Sequence, residues 1–192
     1  MEREIIQTLD GSTTIHLKEW DECYHSKHGA IQEAQHVFIQ NGLSLFPNQT
    51  ISILEIGFGT GLNAFITYLE SQKLIQTINY VGVEAYPVST FEVLAMNYVE
   101  ELNAGNQNTI FEQMHDSEWN EESELASHFK LTKRKQFFDE IKGKADISVV
   151  KELSSKLDNQ NVQQIQILRE IAGLTAKMDV LLNLKGANNG ER

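Results

Sequence analysis

Three glycines at alternate positions, Gly57, Gly59 and Gly61, sit between a short apolar run, Ile51-Ser52-Ile53-Leu54-Glu55-Ile56, and a helical run that begins at Leu62. A strand that turns into a helix on glycines presents amide donors and the positive end of the helix dipole, with no side chains to hold a ligand off. The whole turn, Gly57-Phe58-Gly59-Thr60-Gly61, is therefore a candidate cradle for the polar end of a small molecule. Its spacing is G-x-G-x-G, not the G-x-G-x-x-G of dinucleotide folds. Glu55 precedes the turn, and a second acid, Glu84, ends the next apolar run at residues 78–84. A carboxylate in that place can accept both hydroxyls of a ribose. These residues together predict a nucleoside cofactor, and the acid beside the glycines points to S-adenosylmethionine more than to a nicotinamide dinucleotide. The competing reading is a tight turn that uses glycine for steric reasons alone.

Other reactive side chains form no pattern. His25, His28 and His36 lack any metal-ligand spacing such as H-E-x-x-H, so no metal site is expected. Cys23 is the single cysteine, which excludes an intrachain disulfide and leaves no Cys-rich zinc framework. No third group orients it as a nucleophile, and no G-x-S-x-G elbow marks a serine hydrolase.

The elements that must position the glycine turn are legible around it. Residues 4–18 read as a hairpin about Asp10-Gly11. Residues 29–40 read as a helix, with Ile31, Ala34, Val37 and Phe38 at helical spacing. Strand 51–56, a helix from Leu62 to about Leu69, and strand 78–84 make a βαβ unit, which favours a parallel sheet. Beyond Pro87 the spacing of Phe91, Leu94, Ala95 and Tyr98 predicts one helix over 88–102. Residues 107–113 read as a strand, 117–123 as a polar loop, 129–134 as a strand and 136–141 as a helix.

Composition sets the class. The chain has 192 residues, 41% hydrophobic and 22% charged, with a net charge of −11 and mean hydropathy −0.33. That content fills a core and argues against wholesale disorder. No apolar run approaches the roughly 18 residues of a membrane span, and no basic-then-apolar leader opens the chain, so a soluble, cytoplasmic protein is expected. Between Glu19 and Glu124 there are 16 acids and two bases, Lys27 and Lys73. Such a surface repels phosphate backbones, and composition alone argues against nucleic-acid binding. Lys130, Lys133, Arg134 and Lys135 reverse the sign locally, most simply as a solvated strand end.

The last part of the chain has a different periodicity. Val150, Leu157, Gln164, Ile171 and Met178 as a positions, with Leu153, Gln160, Ile167, Leu174 and Leu181 as d positions, form a 3-4 heptad seam. A long C-terminal heptad helix is expected, packed on its own domain or coiled with itself or a helical partner through residues 147–184.

The residues also carry a resemblance. Tyr24-His25-Ser26-Lys27-His28-Gly29-Ala30 with Glu33 and His36-Val37-Phe38, then Leu54-Glu55-Ile56-Gly57-Phe58-Gly59-Thr60-Gly61-Leu62-Asn63, then Tyr80-Val81-Gly82-Val83-Glu84-Ala85-Tyr86-Pro87, resemble the MnmD-type methyltransferases. These are equivalent to the methyltransferase half of bifunctional MnmC and methylate the aminomethyl group of a wobble uridine, completing 5-methylaminomethyl-2-thiouridine in tRNA. The resemblance covers about residues 3–142. It implies a Rossmann-like class I methyltransferase framework with S-adenosylmethionine as cofactor and tRNA as partner. It implies that Gly57, Gly59 and Gly61 cradle the methionine end, that Glu84 holds the ribose with Tyr86 near the adenine, and that the segment with Tyr24, His25, Ser26 and Glu33 flanks the methyl-transfer pocket.

After residue 142 the pattern departs. The family continues with a strand ending in Asp-Ala-Phe, and that tripeptide does not occur here. The resemblance therefore implies a C-terminally incomplete α/β framework (residues 1–142) followed by a helical extension (143–192), with no counterpart to the family's acid beside the transferred methyl. Two functions follow as expectations. One is S-adenosylmethionine-dependent methylation of tRNA, an activity of which this chain is expected to show no useful rate and for which no catalytic residue is assigned. The alternative is a non-catalytic domain acting through its coiled-coil helix.

Overall fold

The Asp10-Gly11 pair turns the chain between two antiparallel strands, β1 (Arg3–Gln7) and β2 (Thr13–Leu17), with Ile5 opposite Ile15. Asp10 Oδ1 accepts from Thr8 Oγ1 (2.7 Å) and Ser12 N (3.0 Å), the local bonding that favours Asp in turns. Its Oδ2 accepts from Gln32 N (2.9 Å) in α1 (Ala30–Ala34), so the turn residue also docks the hairpin on the next element. A two-residue strand, β3 (Glu22–Cys23), pairs with β2. Helix α1 continues as a π-helical stretch, Gln35–Gln40, so the helix expected over 29–40 is present but changes its winding midway. This computed structural model describes residues 2–137 and residue 140. The chain divides into two units, Met1–Lys142 and Gly143–Arg192. The heptad segment and residues 138, 139 and 141 of the helix expected at 136–141 lie outside the described residues, and residues 136–137 are not helical.

The βαβ unit forms as its sequence dictates. β4 (Thr50–Ile56) leads through the glycine turn into α2 (Leu62–Lys73) and back into β5 (Thr77–Glu84), parallel to β4 with Ile53 beside Tyr80 and Glu55 beside Gly82. Two further strands, β6 (Glu122–Ala126) and β7 (Phe129–Lys135), complete a sheet of order β4-β5-β7-β6, with β7 parallel to β5 and antiparallel to β6. Alternation assigns Ile51, Ile53, Ile78, Tyr80, Phe129 and Leu131 to one face. Tyr68 of α2 meets Phe129 edge-on at 5.5 Å on this face, and Tyr80 stacks on Phe129 at 5.9 Å. Among the described residues no helix is long and apolar enough to cross a membrane.

One position in this core admits no side chain. Gly82 of β5 lies under the ring of Phe58, itself 4% exposed, and a Cβ built there would overlap the ring. The aromatic ring thus fixes the turn after β4 onto the neighbouring strand.

Between β5 and β6 the chain differs from the sequence reading. The segment 88–102 forms two short helices, α3 (Thr90–Leu94) and α4 (Tyr98–Glu101). Asn97 separates them because its amide groups serve the hairpin: Oδ1 accepts from Thr13 N (2.8 Å), Nδ2 donates to Gly11 O (2.9 Å), and its own N–H donates to Thr13 Oγ1 (3.1 Å). Side-chain bonding of this kind competes with helix continuation. The expected strand at 107–113 is a helix, α5 (Asn108–Asp116), which buries Phe111 and Met114 at a three-residue interval, with the Phe111 ring against Phe65 and Tyr98. The expected polar loop at 117–123 gives way to β6 at Glu122.

Under the glycine turn lies a buried polar network. Thr60 Oγ1 is 2.9 Å from Tyr98 OH and 3.2 Å from His25 Nε2, and His115 Nε2 is 3.2 Å from Thr60 O. Lys133, read from sequence as part of a solvated strand end, points inward after Phe129 and Leu131 and is 1% exposed. Its ammonium donates to His115 O and lies 4.8 Å from the Trp119 ring centroid. Burial pulls it down to about 8, against the attraction of Asp116 and Glu118. Burial also pushes His25 down to about 4, and pushes His115 to about 4 with help from Lys133.

Two outcomes are expected. Gly82→Ala lowers stability by about 1–3 kcal/mol through the Phe58 overlap. Gly105→Ala, whose Cβ would meet nothing within 4 Å, changes it by less than about 0.5 kcal/mol; equal effects in urea titrations would refute the Phe58 account. The second concerns acid. A histidine whose folded pKa lies below its unfolded value is neutral in the fold while the unfolded chain takes up its proton. Stability is therefore present above about pH 6.5 and lost as pH falls towards 4. Glu55, raised to about 7 by burial, contributes with the opposite sign in that range but is common to both proteins compared. The wild-type stability curve between pH 6.5 and 4 should be steeper than that of His25→Gln by up to about 1.4 kcal/mol per pH unit, one proton's worth. Parallel curves would show that His25 titrates normally in the fold.

Candidate functional site

The glycine turn is built by left-handed backbone at each glycine: φ is +87° at Gly57, +52° at Gly59 and +74° at Gly61. Side chains disfavour that region, which explains the alternate spacing better than ligand access alone. The turn is tied to the adjacent strand by hydrogen bonds. Gly57 N and Phe58 N both donate to Val83 O (2.8 and 3.0 Å), and Gly59 N donates to Glu84 Oε2 (2.9 Å). Glu84 Oε1 accepts from Tyr86 N (2.8 Å). Glu84 thus joins the glycine turn to the loop after β5. A carboxylate has roughly four lone-pair sites, so two amides leave capacity for hydroxyl donors.

Glu55 turns the other way, into the core. It is 7% exposed, with Oε1 accepting from Asn63 Nδ2 (2.8 Å) and Oε2 from Tyr80 OH (2.9 Å). Burial pushes its carboxyl up to about 7 despite those two donors, and the nearby Glu84 charge adds to the rise. Neither Asn63 nor Tyr80 was singled out by the sequence reading. Tyr80 had a signal in the alternation of β5, which places it on the face of Glu55.

The segment after β3 meets the turn at two points. The Tyr24 ring lies against Gly59, where a Cβ would sit 3.1 Å from Tyr24 Cδ2, and His25 reaches Thr60 from below. Ser26 and Glu33 pair with each other instead: Ser26 N donates to Glu33 Oε2 (2.8 Å), and no hydrogen bond among the described residues joins either to the glycine turn. Tyr86 is half exposed beside the turn's acid, with Phe137 edge-on at 5.6 Å. His28 and His36 stand apart, the first bonded to Ser26 Oγ through its N–H, the second to Gln40.

These residues fit a nucleoside with an amino-acid end. Space is open beside Gly57, where a Cβ would meet nothing within 4 Å. Glu84 stands at the carboxyl end of its strand, where open α/β sheets bind ligands. Asn63, in the first turn of α2, keeps Oδ1 buried with no donor among the described residues, and an ammonium is a donor of the kind it lacks. A separate cleft of about 670 Å³ between α3, α4 and α5, lined by residues including Val93, Asn97, Glu100 and Phe111, contains none of these groups.

Comparison with known proteins gives partial matches. No family model matches it. It is 37% identical over 79 residues to the tRNA 5-methylaminomethyl-2-thiouridine biosynthesis bifunctional protein MnmC of Idiomarina loihiensis, a match covering 36% of this chain and 13% of that protein. It is 35% identical over 102 residues to MnmC of Pseudomonas entomophila (48% and 16%) and 38% identical over 82 residues to MnmC of Burkholderia multivorans (40% and 12%). The matches thus span no more than 16% of the length of these relatives. Among solved structures, MnmC2 from Aquifex aeolicus shares the fold with a TM-score of 0.54 at 24% identity, over 73% of this chain and 45% of that one. The chain is a mixed α/β protein with a parallel-stranded sheet, related in sequence to proteins named MnmC.

Proposed function

We propose that the unit at residues 1–142 binds S-adenosylmethionine and serves methyl transfer in tRNA modification, with the aminomethyl group of a wobble 5-aminomethyl-2-thiouridine as acceptor. The observation that carries this reading is Glu84, fixed at a strand end by the amides of Gly59 and Tyr86 beside a turn of three left-handed glycines. The names of the relatives, which refer to 5-methylaminomethyl-2-thiouridine biosynthesis in tRNA, support the acceptor.

Glu84 accepts the ribose hydroxyls, Tyr86 lies by the adenine, and Gly57, Phe58, Gly59, Thr60 and Gly61 line the methionine end. Glu55 acts from beneath, holding Asn63 at the start of α2. Tyr24 bounds the crevice over Gly59, while His25, Ser26 and Glu33 support that segment. When bound, the cofactor would supply an electrophilic sulfonium methyl to the amine nitrogen of the acceptor, which must give up a proton. The chain's contribution is to orient the donor and exclude water around it. The chain's acidic surface favours recognition of a single-stranded base through local contacts over a broad phosphate interface.

A second reading rests on the heptad pattern of residues 147–184: a non-catalytic protein that works by self-association or a helical partner. Two measurements separate the readings. Calorimetric titration with S-adenosylmethionine should show binding that Glu84→Ala abolishes; no heat at millimolar ligand with folded protein would refute the cofactor reading. Transfer of labelled methyl to tRNA bearing the aminomethyl group, and not to tRNA lacking it, is the outcome the first reading requires. Binding without any transfer selects the second.

A further inference from the structure

Arg3 is the first residue of β1, far in sequence from the glycine turn, yet its side chain is only 17% exposed and is spent on the loop after β5, on α3 and on the Tyr24 ring. Its Nη2 donates to Tyr86 O (2.7 Å). Its Nη1 donates to Pro87 O (3.3 Å) and to Glu92 Oε2 (3.2 Å). The guanidinium carbon lies 5.7 Å from the centroid of the Tyr24 ring, which rests against Gly59. Glu92 in turn closes the capping box of α3 with Ser89. One planar cation therefore joins the hairpin, the Tyr24 segment, the loop after β5 and the start of α3.

The geometry at Tyr86 gives this a functional sense. The Tyr86 N–H is held by Glu84 and its carbonyl by Arg3, so the residue is gripped on both sides of its α-carbon. Pro87 follows, and Arg3 also serves its carbonyl. We propose that Arg3 is a positioning residue for the nucleoside end of the crevice: it holds the Tyr86–Pro87 backbone so that Glu84 faces the glycine turn, and holds the Tyr24 ring over Gly59. This rests on the cofactor reading above and extends it to a residue that carries no recognisable motif. A guanidinium suits the task because its fork reaches two carbonyls and a carboxylate in fixed directions; an ammonium of equal charge cannot span them.

The test is calorimetric titration of S-adenosylhomocysteine and of adenosine into wild type, Arg3→Met and Arg3→Lys, with amide hydrogen exchange at residues 84–89 in the ligand-free proteins. Lys18→Met serves as control, since it removes the hairpin's exposed ion pairs with Glu2 and Glu4 without touching the crevice. Arg3→Met should weaken both ligands by about tenfold or more and speed exchange at 84–89. Arg3→Lys should recover part of the affinity, and Lys18→Met should match wild type. If Arg3→Met does not fold, Arg3→Lys carries the comparison with a smaller loss. Wild type that binds, with Arg3 variants binding equally well, overturns the role of Arg3 alone, as does an equal loss in Lys18→Met. Wild type that binds neither ligand overturns the cofactor reading and this one with it.

Discussion

The packing of the Phe58 ring on Gly82 is the constraint on which the rest of the site depends. It presses the turn after β4 onto β5, which brings Gly57 N and Phe58 N to Val83 O and leaves Gly59 N facing Glu84. A β-carbon at position 82 would lift the ring and with it all three hydrogen bonds. The left-handed glycines are then required for the chain to leave the strand, cross the ring and start α2 within five residues.

The glycine turn is flanked by elements that the βαβ unit does not contain. The segment after β3 meets the turn through Tyr24 and His25, while the N-terminal hairpin holds the neighbouring loop after β5 through Arg3 and is itself held by Asp10 at α1 and Asn97 between α3 and α4. These anchors are polar and sit at element ends, where backbone groups lack partners. The Thr60-Tyr98-His25-His115 network follows the same rule. It satisfies buried polar atoms beneath the turn, and desolvation keeps both histidines neutral at ordinary pH. The positive charges in this acidic chain are used sparingly: Arg3 clamps the outer wall and Lys133 closes the carbonyl end of α5, each replacing several separate contacts.

The two acids near the glycines have different environments and hence different uses. Glu84 meets two amides at a strand end and has lone pairs to spare. Glu55 is sealed against Tyr80 and Asn63 with its carboxyl raised to about 7, a poor ligand contact but a rigid support for the first turn of α2.

What the sequence determined by itself was local. Alternating apolar residues at 51–56 and 78–84, glycines 57, 59 and 61 between strand and helix, and Asp10-Gly11 between two short strands each specify their geometry through the chain's own stereochemistry. The hairpin and βαβ unit could therefore be read, along with Glu84 at its strand end. Tertiary structure decided everything that depends on a distant partner. Asn97 breaks a helix that periodicity favoured because Thr13 and Gly11, far upstream, need its amide. Residues 108–116 wind as a helix that buries Phe111 and Met114 on one side, with Phe111 against Phe65 and Tyr98; the adjacent Ile110 and Phe111 obscure that period in the sequence. Lys133 points inward because β7 alternates and α5 ends above it, and Arg3 becomes part of the crevice only when the hairpin folds back on the loop after β5. Burial and cross-element hydrogen bonds are properties of pairs, and one line of residues does not list its pairs.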